Sequence, residues 1–156
     1  IYSPWTQLVT ANWSAPTPFF GITTRRYTHT TATITAAIRD QGVVLVYIQA
    51  GGTGATVYPL PAVVPLITGA DVNLRTEINV GNFVIVSHVL GSPATDPGAF
   101  GGAGNNYRYV IIPGGVAGGR GIASEKIAEI RGQVYTESQL KAMSYQQVCS
   151  LLNIQP

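Results

Sequence analysis

The dominant period along this chain is two. Thr28, Thr30, Ala32 and Ile34 alternate with His29, Thr31, Thr33 and Thr35, a β-branched run that predicts a strand with one face on a core. Gly42-Val-Val-Leu-Val-Tyr-Ile-Gln49 is apolar on both faces, the pattern of a central strand covered on both sides. Thr56-Val-Tyr-Pro-Leu-Pro61 is extended, but Pro59 and Pro61 lack the N–H that a ladder needs, which assigns it to a sheet edge or strand end. Val72, Leu74 and Ile78 point one way, and Asn73, Arg75, Glu77 and Asn79 point the other. Gly81-Asn82 predicts a turn, with Phe83-Val-Ile-Val-Ser-His-Val-Leu90 as the hairpin partner. Tyr107-Arg-Tyr-Val-Ile-Ile112 is a further strand, ended by Pro113-Gly-Gly115.

Near the C-terminus the period changes. Thr136-Glu-Ser-Gln139 and Ser144-Tyr-Gln-Gln147 each carry a hydroxyl with Gln three residues on, the capping-box pattern. They predict two short helices, about 137–142 and 145–152, docked through Val148, Leu151 and Leu152. Residues 122–134 are open to two readings: Ile127, Ile130 and Val134 fit a helix, while Gly132 and the flanking glycines oppose it. Short strands at close spacing without a βαβ rhythm predict an all-β fold. The expectation is one domain over 1–156, an antiparallel β-sandwich of jelly-roll or immunoglobulin-like type. It has an extended N-terminal segment at 1–22 and a helical tail at 136–154.

Composition narrows the setting. A chain of 156 residues hides roughly 68–70% of its unfolded surface, so it folds without a disulfide or metal. Its single cysteine, Cys149, reads as a small buried hydrophobe on a helix. Only 10% of residues are charged, against roughly 25% in an average soluble domain, and Lys126 and Lys141 are the only lysines. Thr, Gly, Ala, Asn and Val take their place, a surface suited to an exported protein or to subunits that pack on their own copies. The net charge is +2 and Arg25–Arg26 is the only basic pair, which argues against nucleic acid as a partner. No run of about 18 apolar residues predicts a transmembrane segment. The opening at Ile1 reads as a removed leader or a start within a longer gene.

Candidate chemistry is sparse. His29 and His88 sit in strand patterns without ligands at metal spacing. Asp40, Asp71 and Asp96 stand beside turn residues, where Asp caps the local backbone. No Gly-x-Ser-x-Gly elbow is present. The glycine run at 113–121 matches neither phosphate-binding pattern. No catalytic residue, metal or cofactor is assigned. Asn12-Trp13-Ser14 matches the N-glycosylation sequon. Trp5 and Trp13 are the flat rings on which a sugar would stack.

Three stretches carry a resemblance: Gly42-Val-Val-Leu-Val-Tyr47 with Val57-Tyr-Pro-Leu-Pro61; Tyr107-Arg-Tyr-Val-Ile-Ile-Pro-Gly114; and Met143-Ser-Tyr-Gln-Gln-Val-Cys-Ser-Leu-Leu-Asn-Ile154. In that order they resemble a group of small Bacteroidota cell-surface lipoproteins. In that group a lipidated cysteine, and often a short collagen-like stretch, precedes a β domain of this size. The likeness runs from about residue 27 to the end and rests on core strands and a tail helix. It implies a fold and an outer-surface location, with a lipid anchor upstream of Ile1, and no activity.

These features predict an extracellular or outer-surface structural protein, without catalysis, that assembles with copies of itself into a fibre or layer. A sandwich polymerises by lending a strand to its neighbour's open edge. The expected donor is 1–22, with Trp5, Leu8, Val9, Trp13, Phe19 and Phe20 as its apolar residues and no tight hairpin back to the body. Its removal is expected to leave a folded monomer. The other fate for this segment is the first strand of its own sandwich. The alternative role is a glycan- or protein-binding module. It would use the loops at 91–106 and 113–121, with Phe100, Asn105, Asn106 and Arg120 as candidate binding residues. Loops beyond about 12–15 residues are usually functional or mobile.

Overall fold

In a computed structural model, residues 1–51, 56–65, 69–114 and 126–156 are described. Eleven strands and three helices occupy them. In chain order the first strands are β1 (Thr6–Gln7), β2 (Thr17–Phe19) and β3 (Ile22–Thr30). Helix α1 (Ala36–Gln41) precedes β4 (Val43–Ala50), β5 (Thr56–Pro59) and β6 (Ala62–Pro65). Then come β7 (Asp71–Asn79), β8 (Asn82–Val89), β9 (Asn106–Ile112), β10 (Ile127–Ile130) and β11 (Gln133–Thr136), and last α2 (Glu137–Ala142) and α3 (Tyr145–Leu152).

Two antiparallel sheets make the sandwich. One runs β1-β9-β4-β5 and the other β2-β3-β8-β7-β6. The core between them takes Val44, Val46 and Ile48 from β4 and Tyr107 and Ile111 from β9. From the second sheet it takes Tyr27, Val72, Leu74, Phe83 and Ile85. The alternate residues of β4 and β9 (Val43, Leu45, Tyr47, Val110 and Ile112) face outward, yet they too are buried. The β10-β11 hairpin and the two C-terminal helices cover them with Ala128, Ile130, Leu140, Tyr145, Val148 and Cys149. This third layer is the reason β4 is apolar on both faces.

Both helices start as expected. The Thr136 hydroxyl accepts from the Gln139 backbone N–H and the Gln139 side-chain Oε1 accepts from the Thr136 N–H, and Ser144 and Gln147 repeat the arrangement. Residues 127–136 form a hairpin and not a helix, because Arg131 and Gly132 both take positive φ and close a two-residue turn.

Three expectations need correction. The strand containing Thr28 begins at Ile22 and stops at Thr30. The alternation beyond it belongs to a turn and to α1, whose N-cap Thr35 hydroxyl accepts from the Ile38 N–H. The β7–β8 turn is Val80–Gly81, since Asn82 already pairs with Asn79. The segment 1–22 is not a free extended arm. Its last part is β2, folded back on β3 by a tight turn at Phe20 and Gly21, both at positive φ.

Candidate functional site

Residues 1–8, which include β1, run along the edge of the sheet beside β9. The Ile1 ammonium donates to the Ile111 carbonyl (2.9 Å), and Ile111 N–H donates back to Ile1 (2.7 Å). Tyr2 faces Val110. Ser3 N–H donates to Tyr109 O (3.0 Å), and the Ser3 hydroxyl accepts from Tyr109 N–H (3.0 Å). Thr6 faces Tyr107, Gln7 faces Asn106, and Leu8 N–H reaches Asn105 O (2.8 Å).

The register shifts along the way. From Tyr2 to Thr6 the segment takes four steps, while β9 takes three from Val110 to Tyr107. The extra residue sits at Pro4–Trp5, opposite Arg108, as a bulge. Proline suits that place because it has no N–H to withhold from the ladder. The shift also changes the facing of the side chains. Trp5 packs with the outer, helix-covered cluster, whereas Leu8, 0% exposed, enters the core between the sheets. One segment therefore grips both faces of its sheet.

Arg108 stands at the centre of this grip. Its side chain projects to the same side as Val110 and Ile112, and the residue is 4% exposed. No carboxylate among the described residues forms an ion pair with it; neutral oxygens and rings surround it. Its Nε donates to Ser3 O (2.9 Å), and Nη1 donates to the Tyr145 hydroxyl and to Gln155 O (2.7 Å). The guanidinium carbon lies 5.1 Å from the Tyr2 ring centre, 6.0 Å from Trp5 and 5.8 Å from Tyr145. Planar guanidinium groups are weakly hydrated and stack well on rings, so this enclosure is tolerable for Arg and poor for Lys. Burial pushes the Tyr145 hydroxyl up to about 12, so it stays protonated.

The six expected donor residues separate. Trp5 and Leu8 hold the edge strand to the two faces. Trp13, 6% exposed, is paired with Tyr27 across a β-bridge with rings 5.5 Å apart, and its indole N–H is buried without a partner. It offers no open face to a sugar. Val9 is exposed. Phe19 and Phe20 occupy the β2–β3 tip with rings 4.7 Å apart, and Phe20 is 91% exposed. The backbone of residues 1–8 bonds to β9 and to the loop before it. After them comes a single turn at Thr10–Asn12, closed by Asn12 N–H to Val9 O and Trp13 N–H to Thr10 O.

The candidate binding loop is stapled down. Arg25 makes a two-pronged ion pair with Asp96 (2.6 and 2.7 Å), which holds that carboxyl below its usual range. Asn105 donates to Gly101 O (3.0 Å), and Asn106 donates to the Gln49 carboxamide (3.0 Å). Phe100 packs on the core. Gly101 lies so close to the N-terminal segment that a Cβ there would meet Thr10 N at 2.8 Å and Leu8 O at 2.9 Å. The structure thus ties Asn105 to Leu8, pairs Asn106 with Gln7 and turns Phe100 onto the core. Arg120, with most of the 113–121 loop, lies outside the described residues.

On the outer face of the larger sheet, Arg26 and Arg75 both bond Glu77. These hydrogen bonds, Arg26 first, hold the Glu77 carboxyl below its usual range. Arg26 and Arg75 flank Val86, and Glu77 stands beside Val84. His29 faces inward, with Nδ1 2.8 Å from the Tyr107 hydroxyl and the rings of Phe83, Tyr107 and Tyr109 around it. His88 stands on the other face, so the two histidines do not converge. Among the described residues no group of three His, Cys, Asp or Glu is placed to hold a metal, and no helix is long and apolar enough to cross a membrane.

Sequence reasoning missed Tyr2, Ser3 and Arg108. The signal was present in β9, where a lone arginine shares a face with Val110 and Ile112. No protein-family model, curated protein or solved structure matches the chain.

Proposed function

We propose that this chain is a non-catalytic structural subunit of an extracellular or outer-surface assembly, and that copies join by exchanging the edge strand 1–8. The observation that carries the reading is the construction of that strand. It is gripped on both faces of one sheet, and a single turn of exposed residues separates it from the body. A segment of this kind fits a neighbour's groove as well as its own. Passed head to tail, it generates an open chain of subunits. The low charge and the resemblance to small Bacteroidota cell-surface lipoproteins support the exported setting.

Light scattering on the purified chain across a wide concentration range, with negative-stain images of the same sample, tests the proposal. Filaments or a uniform large assembly are expected. A monomer of 16.5 kDa at every concentration overturns it. The exposed Phe19–Phe20 tip favours a second reading, a protein-binding module that docks through this hairpin.

A further inference from the structure

The strand-exchange proposal leaves open how the groove beside β9 selects its occupant. We infer that Arg108 is the recognition residue of that groove, and that it reads the Tyr2-Ser3-Pro4-Trp5 stretch of a second copy of this chain. The inference rests on the exchange reading and adds a specificity determinant to it.

Backbone pairing alone accepts almost any extended peptide, because every residue but proline offers the same N–H and C=O. Selection needs side chains. Here the incoming segment supplies three of the features around the guanidinium: the Ser3 carbonyl on Nε and the ring faces of Tyr2 and Trp5. The acceptor's own contributions, Tyr145 and Gln155 O, engage only Nη1. When the segment leaves, Nε loses its acceptor and the cation loses two of its three rings. Water can then hydrate the guanidinium, but only a segment that brings a carbonyl and two rings to the same places restores these contacts. The bulge makes the fit particular. Two rings three positions apart reach the same side only because Pro4–Trp5 adds a residue opposite Arg108. A regular strand would turn one ring away.

The test uses the full chain and a synthetic peptide of residues 1–8 bearing a fluorophore at its C-terminus, with capture read by fluorescence anisotropy. The wild-type chain is expected to take up the peptide slowly. Peptides with Tyr2→Ala or Trp5→Ala should bind on the order of ten-fold more weakly each. The Arg108→Lys chain, which keeps the charge but loses the planar fork, should show the same loss, while Arg75→Lys on the outer sheet face should not. Because the peptide variants are read on the unaltered chain, a folding defect cannot mimic the result. Capture indifferent to Tyr2→Ala, Trp5→Ala and Arg108→Lys would leave strand exchange standing and overturn the role of Arg108. No capture of the wild-type peptide overturns both.

Discussion

At the scale of single residues, the chain places polar groups where neutral partners must satisfy them. Arg108 is one case and His29 is another. Burial disfavours the imidazolium, so His29 titrates below the usual histidine range. In the unfolded chain it titrates near about 6.5. As pH falls through that value the unfolded chain takes up a proton that the folded one refuses, and stability drops until the folded imidazole is protonated as well. Urea midpoints measured at pH 7.5 and 5.5 should therefore fall with acid in the wild type and fall less in His29→Gln. Parallel changes in the two proteins would show that His29 does not carry the effect. The sequence placed His29 in a strand but could not give its partner, because Tyr107 lies 78 positions away and strand registers decide the meeting.

At the scale of elements, local patterns were legible wherever the cause was local. Both C-terminal helices lie at the expected bounds, because a capping box is completed within four residues. The two-faced apolarity of β4 announced a cover on each side. The N-terminal hairpin was hidden for the opposite reason. Its turn places Phe20 at a φ of 49°, where glycine or asparagine is the ordinary choice, so the turn carried no sequence signal. That conformation costs a phenylalanine about 1 kcal/mol or more. Phe20→Asn should therefore raise the melting temperature by about 2–4 °C. A fall would mean that the Phe19–Phe20 ring contact outweighs the backbone strain. The register shift opposite Arg108 was equally silent, since it depends on how β9 meets a segment about 100 residues distant in the chain.

At the scale of the whole molecule, the sandwich and its helical layer followed from periodicity, while the role of the first 22 residues did not. Removal of 1–22 is now expected to unfold the domain. Truncating Leu8 alone costs about 2–5 kcal/mol and truncating Trp13 about 3–5, against a total stability of about 5–15 kcal/mol for a domain. Circular dichroism of the shortened chain checks this, and a cooperative melt near the parent's temperature would show the segment to be dispensable. The earlier division of labour, with a detachable arm on a self-sufficient body, gives way to a domain that is complete only with residues 1–8 in the groove.

The shared grip of Arg108 on Ser3 and Gln155 has a mechanical side. One guanidinium joins the edge strand to the segment after α3, so a force that draws the strand sideways from β9 peels it open and loads its bonds one after another. The same strand seated in a neighbouring copy and drawn along its length would load those bonds together, in shear. The strand would therefore yield readily to a sideways force and hold against a lengthwise one.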